Sequence, residues 1–218
     1  VRLVGSEMCI RDRFIIVGAY LLSVALAGGT TETVIPFLGS VDLGFFYYIL
    51  AAVFIVGMVN AVNFTDGIDG LNTSVTLVVA LVFSVIAMLL NRVGLSLYAA
   101  AIVGAMIGFL FWNANPAKVF MGDTGSLFLG GAVCALAFGV NMPILLILIG
   151  IIYIVEILSV VLQVTYFKIS HGKRIFKMAP IHHHFEMCGW NENKICFVFS
   201  GVTLLAGIIG VLLAVFGC

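Results

Sequence analysis

The chain has 218 residues, with Lys and Arg together (10) balancing Asp and Glu (10), so its formal net charge is zero. Hydrophobic residues make up 63% and charged residues 9%, and the mean hydropathy is +1.25. Soluble domains carry about 25% charged residues and still expose much of their chain at this size, so the composition excludes a soluble globular domain, and the absence of a basic surplus excludes a nucleic-acid partner.

The chain begins at Val1, and residues 1–13 read as neither a span nor a signal sequence. The string from Met8 to Arg13 resembles translated adapter sequence, so 1–13 is set aside as a non-native leader. Residues 14–218 read as a single transmembrane domain. Seven apolar runs follow in order: 14–28, 45–62, 73–90, 95–112, 126–140, 142–162 and 195–217. A bilayer core of about 30 Å needs roughly 20 apolar residues in a helix, and the first and fifth runs are short by that measure. No long stretch alternates with period two, which argues against an outer-membrane barrel. The predicted class is an all-α polytopic membrane helix bundle. Gly104 and Gly108 form a small-xxx-small pair that suits close helix packing.

Seven spans put the two ends on opposite sides and sort the connections into two sets. One set holds Lys118, Lys168, Lys173, Arg174, Lys177 and Lys194; the other holds only Arg92. The positive-inside rule places the first set on the cytoplasmic side. The informative loops, 63–72, 113–125 and 163–194, all fall on that side, while 29–43, a turn at 91–94 and Asn141 fall on the other. Five cysteines (Cys9, Cys134, Cys188, Cys196, Cys218) show no metal-type spacing and read as inert thiols.

The first loop runs Asn63-Phe64-Thr65-Asp66-Gly67-Ile68-Asp69-Gly70. Carboxylates and a side-chain amide are hard oxygen ligands that suit Mg²⁺, although Asp-Gly is also a common turn signal. The second carries Asn113, Lys118 and Phe120, then Gly122-Asp123-Thr124-Gly125-Ser126, and opens a helix whose N-terminus favours anions. The bland reading is a helix cap, with Lys118 marking topology. The third carries Lys173-Arg174 and the triplet His182-His183-His184. Neighbouring histidines rarely converge on zinc, so phosphate handling or proton transfer suits them better. Glu156 and Gln163 lie in or at the end of the sixth run. An ionisable group inside a span is either functional or an interhelical hydrogen bond. Acidic loops, glycine-rich backbone, basic residues and histidines on one membrane face suit Mg²⁺-assisted phosphoryl transfer.

The motifs 63–71, 113–126 and Met178-Ala179-Pro180-Ile181-His182-His183-His184-Phe185-Glu186 resemble the phospho-N-acetylmuramoyl-pentapeptide transferase family, within the polyprenyl-phosphate N-acetylhexosamine-1-phosphate transferase superfamily. The resemblance covers essentially all of 14–218, and the histidine motif is its most specific part. It implies a ten-helix fold, of which about seven helices lie in this chain. It also implies transfer of phospho-MurNAc-pentapeptide from UDP-MurNAc-pentapeptide to undecaprenyl phosphate at the cytoplasmic face, giving lipid I and UMP in peptidoglycan synthesis. By the same resemblance Asp123 binds Mg²⁺, with Asn63 as a second ligand. Asp66 and Asp69 line the nucleotide-sugar site, and Asn113 and Phe120 match positions near the uridine; Lys118 joins the substrate-binding residues as a positive charge for phosphate. His182, His183 and His184, with Asp66 and Asp123, are the implied catalytic residues. A homodimer is one option for the assembly. The family carries an adjacent Asp-Asp pair on an earlier helix, and this sequence contains none. The expectation is therefore an N-terminally truncated and inactive piece. Two rival readings are a transferase of GlcNAc-1-phosphate and, in another class, a membrane transporter. A transporter would place its ionisable groups near the midplane, where Glu156 alone qualifies.

Overall fold

Apolar runs uninterrupted by charge leave the backbone no partner but itself, and in this chain they fold as helices. A computed structural model describes residues 31–217 together with Gly18. The expected leader 1–13 and, apart from Gly18, the expected first span 14–28 lie outside the described residues. The described helices are α1 (Phe45–Thr65), α2 (Leu71–Leu89), α3 (Val93–Asn113), α4 (Gly122–Gly139), α5 (Pro143–Ile149), α6 (Ile151–Ile169), α7 (Ile181–Glu186) and α8 (Glu192–Phe216). Six of them, all but α5 and α7, are long and apolar enough to cross a membrane, at 18 to 25 residues each. At 1.5 Å per residue they reach about 27–38 Å, which matches a hydrocarbon core of about 30 Å. The chain is an all-α polytopic bundle.

One continuous core holds the described helices together. The segment α2 is the most enclosed of them and packs chiefly on α3 and α8, while α1 packs chiefly on α4 and α6. The α1–α4 crossing is close because Gly130 has no side chain: a Cβ there would lie 2.7 Å from the Val59 Cα. Gly104 and Gly108 do not repeat this. A Cβ at either would meet nothing within 4 Å among the described residues, so the small-xxx-small pair on α3 packs no described helix. Polar side chains inside the bundle pair across helices, as Thr76 and Tyr153 do at 2.7 Å, and Ser84 and Ser96 at 3.3 Å.

Two features differ from the expectation. The run at 142–162 is not one helix: it breaks at Gly150, and its second part continues to Ile169. The segment 29–43 contains a small antiparallel hairpin, β1 (Glu32–Ile35) and β2 (Gly39–Asp42), with Glu32 opposite Asp42 and Ile35 opposite Gly39. Its backbone donates from Val34 to the Asn141 carbonyl (2.9 Å) and from Phe37 to the Gly217 carbonyl (2.6 Å). The hairpin, the α4–α5 turn and the end of α8 therefore share one end of the bundle. The three loops singled out in the sequence connect helix ends at the opposite end.

Candidate active site

The first two loops meet at the end of α1 and the start of α4. Asn63 lies in the last turn of α1 and Asp123 in the first turn of α4. Asn63 Nδ2 donates to Asp123 Oδ1 (3.1 Å) and to Ser126 Oγ (2.8 Å), and Ser126 Oγ donates back to the Gly122 carbonyl (3.1 Å). A cation would take the amide oxygen of Asn63, and it is the nitrogen that is engaged here. Asp66 follows α1 directly. Burial pushes its carboxyl up from 3.8 to about 6, the nearby Asp123 charge adds to the rise, and a hydrogen bond from the Gly122 backbone opposes it. Two carboxylates in one partly desolvated place repel, and a cation between them would relieve that repulsion. A cleft of about 250 Å³ opens here, lined by Asp66, Gly67, Asp69, Phe120, Gly122 and Asp123, among others. Phe120 is mostly exposed at its edge. Among the described residues no group of three or more His, Cys, Asp or Glu side chains converges as a metal cage.

Asp69 shares the Asp-Gly signature of Asp66 but sits differently. Its Oδ2 accepts from the Ala117 backbone (2.9 Å) and from Asn115 Nδ2 (3.3 Å). Its own N–H donates to Glu192 Oε2 at the start of α8 (3.0 Å), and its carbonyl accepts from Cys196 Sγ (3.3 Å). Asp69 is thus a strut between the first loop, the second loop and α8. Asn113 is another internal fastener. It is 4% exposed, accepts from Thr73 Oγ1 (2.5 Å) and donates to the Val119 carbonyl (3.0 Å). Asn113 still borders the cleft, but its amide oxygen is taken by Thr73 on α2 and its nitrogen by Val119 in the second loop. Lys118 does not line the cleft; its ammonium lies 5.6 Å from the centre of the Trp112 ring.

The third loop is folded back by Gln163, whose Oε1 accepts from the backbone of Ile175 (3.1 Å) and Phe176 (2.9 Å). It delivers the histidines on the short helix α7. Successive helical residues point about 100° apart, so the three rings take three environments. His182 is fully buried and its Nδ1 is 3.0 Å from Glu156 Oε2 on α6, also fully buried. A Cβ at Gly67 would collide with His182 Nε2 and lie 2.6 Å from Cε1, so the ring presses directly on the first loop. His183 is half-buried and pairs with Glu186 at 2.5 Å. His184 Nδ1 accepts from the Lys177 backbone (3.1 Å), and its ring meets Phe176 edge-on. The structure therefore gathers Asn63, Asp66, Asp123 and Phe120 at the cleft and braces it with Asp69, Asn113 and His182. Glu192 was not anticipated, since an acidic residue in a first helical turn reads as an ordinary dipole partner.

The sequence profile described as glycosyl transferase family 4 matches residues 6–141, beginning inside the stretch read as leader. A phospho-N-acetylmuramoyl-pentapeptide-transferase of Clostridium botulinum (strain Eklund 17B / Type B) is 52% identical over 196 residues, which cover 87% of this chain and 60% of that protein. The protein of the same name in Clostridium perfringens (strain SM101 / Type A) is 52% identical over 202 residues, or 92% of this chain and 61% of its own length. That of Listeria monocytogenes serotype 4b (strain CLIP80459) is 49% identical over 190 residues, 86% and 59% respectively. An alignment of 202 residues necessarily takes in much of the chain beyond residue 141. The chain spans about 60% of the length of these curated relatives. The six apolar helices among the described residues and these bacterial relatives describe a multi-pass bacterial membrane protein, and the profile match over more than half its length establishes that the chain belongs to glycosyl transferase family 4.

Proposed function

We propose that the whole protein containing this chain transfers phospho-MurNAc-pentapeptide from UDP-MurNAc-pentapeptide to undecaprenyl phosphate, releasing UMP and forming lipid I at the cytoplasmic face of the plasma membrane. In that reaction an oxygen of the lipid phosphate forms a bond to the sugar-bearing phosphorus, and the bond from that phosphorus to the UMP oxygen breaks. The observation that carries the proposal is the meeting of Asp66 and Asp123 in one cleft, with Asn63 bonded to Asp123, at a single end of an apolar bundle. A lipid-borne acceptor in the bilayer and a water-soluble nucleotide sugar can both reach such a place. The family and the names of its relatives supply the substrate class.

The residues fit a divalent cation. Mg²⁺ is bound through one or two carboxylates with waters and substrate phosphates. Burial first and the Asp123 charge second raise the Asp66 carboxyl, and a cation between the two carboxylates would neutralise that charge. Asp123 and Asp66 would hold it, with the amide oxygen of Asn63 adjacent. When bound, Mg²⁺ supplies charge neutralisation on a pyrophosphate. The chain's own residues do the rest. Asn63 and Ser126 orient Asp123, Asp69 keeps the second loop over the first, and Phe120 offers an exposed ring at the edge of the cleft for the nucleotide base. His183 and His184, both half-buried where His182 is fully buried, are the members of the triplet open to a substrate phosphate.

The test is a competition assay with the full-length protein in lipid, offering UDP-MurNAc-pentapeptide and UDP-GlcNAc together with undecaprenyl phosphate. Selective consumption of the muramoyl donor with matching UMP release is expected. Preference for UDP-GlcNAc would overturn the substrate assignment, and transport without UMP release would overturn the enzyme reading.

A further inference from the structure

The Glu156–His182 pair is poorly explained as a device for stability. Both side chains are fully buried, and Glu156 lies on a helix built to cross a membrane. A buried ion pair seldom stabilises a protein more than apolar residues of the same volume. Two of its polar atoms, Glu156 Oε1 and His182 Nε2, have no hydrogen-bond partner among the described residues. Leaving buried polar atoms unmatched is costly. The arrangement makes sense as an orientation device. Nδ1 faces the carboxylate in the interior, which points Nε2 outward at the first loop. A carboxylate bonded to one imidazole nitrogen fixes both the tautomer and the plane of the ring. The far edge of that ring occupies the space a side chain at position 67 would need. Gly67 is the residue after Asp66 and is itself part of the cleft wall. A rigid ring wedged against that peptide fixes where Asp66 stands relative to Asp123.

We propose that Glu156 is a positioning residue: through His182 and the side-chain-free Gly67 it sets the Asp66 side of the cleft, so that α6, α7 and the first loop form one brace. The role in turnover rests on the transferase reading above; the brace itself does not. Glu156 bonds neither of the other two histidines: His183 packs its ring on His182, 4.2 Å between centroids, and pairs with Glu186, while His184 accepts from the Lys177 backbone.

The experiment uses the full-length protein with Glu156→Ala, Glu156→Gln, Gly67→Ala and the double variant Glu156→Ala/Gly67→Ala. Misplacing a reacting group by about 1 Å can lower a rate by about 100-fold. Each alanine variant is therefore expected to lower kcat at least about tenfold, with KM for the nucleotide sugar moving less than about threefold. Glu156→Gln keeps an oxygen that accepts from Nδ1–H and should restore activity to within about threefold of the native protein. The double variant should fall no further than about threefold below the weaker single variant, because both substitutions displace the same ring, one by freeing it and the other by crowding it. A glutamine variant as impaired as the alanine variant, or single effects that multiply, would overturn the proposal. Hydrogen exchange gives a second readout that needs no turnover. The amides of residues 64–70 should exchange at least about tenfold faster in Glu156→Ala and at the native rate in Glu156→Gln. Native-like exchange in the alanine variant would overturn the brace. If Glu156→Ala does not fold, Gly67→Ala in a surface loop carries the same two measurements. If the native full-length protein transfers no sugar phosphate, the transferase reading fails while the exchange result still decides the brace.

Discussion

The two ends of the bundle solve the same problem, turning a membrane helix back on itself, by opposite means. At the hairpin end the turns are short and local. Asn91 (φ 57°) and Asn141 (φ 63°) supply left-handed backbone, and the hairpin attaches to Asn141 and Gly217 by backbone hydrogen bonds alone. At the other end the loops are longer and fastened by side chains to partners far away in sequence. Asn63 reaches Asp123, Asp69 reaches Ala117 and Glu192, and Glu156 reaches His182. Backbone bonds close a turn whatever its side chains are, so such an end tolerates substitution. Side-chain bonds between distant segments fix carboxylates and rings in set positions, and that is what a reaction site needs. The contrast supports the loop end as the working end proposed above, independently of any motif.

Breaking the contrast at the working end should have the largest effect. Asp69→Ala in the full-length protein removes the acceptor that holds Ala117 and Asn115. Activity should fall by about 10- to 100-fold while the protein stays folded, because loss of a group that positions others typically costs that much. Kinetics of UMP release alongside a thermal melt would check this. The Asp66 carboxyl offers a sharper, pH-dependent test. Its folded value of about 6 lies above the ordinary 3.8, so its charged form destabilises the fold above pH 6, and that penalty vanishes as the pH falls below 3.8. Asp66→Asn should therefore raise the metal-free unfolding midpoint at pH 8 and leave it nearly unchanged at pH 4. An equal shift at both pH values would contradict the raised Asp66 carboxyl. At the hairpin end the expected effect is smallest. Asn141→Ala removes the short polar side chain that lets a non-glycine residue adopt left-handed backbone, which costs up to roughly 1–2 kcal/mol. It should lower stability by that amount in a chemical denaturation series and leave kcat/KM within about twofold of the native value.

Legibility followed the same divide. Membrane helices were readable because length and apolarity alone specify them, and the described spans fall within a few residues of the runs expected at 45–62, 73–90, 95–112, 126–140 and 195–217. The hairpin was not, because two four-residue strands around Pro36 and Gly39 give no sustained alternation. The break at Gly150 was hidden inside an otherwise unbroken apolar run, where a single glycine is tolerated as often as it interrupts. Asp66 and Asp123 were legible as loop carboxylates beside glycine. Their geometry with Asn63 was not, since it depends on a helix end 60 residues away. Asp66 and Asp69 carry the same local signature and only tertiary partners separate the cleft carboxylate from the strut. The three histidines looked equivalent in sequence, and the pitch of a six-residue helix gave them three different environments.

Asp123 is where the cleft, the cation fit and the transferase reading converge, so its removal is the most direct test. UMP release by the full-length protein should be measured across a Mg²⁺ titration for the native sequence and for Asp123→Ala. The expected result is Mg²⁺-dependent release in the native protein and a loss of at least about 1000-fold in the variant that added Mg²⁺ does not restore, in line with removal of a principal electrostatic group. Undiminished, Mg²⁺-dependent release by Asp123→Ala would contradict the account.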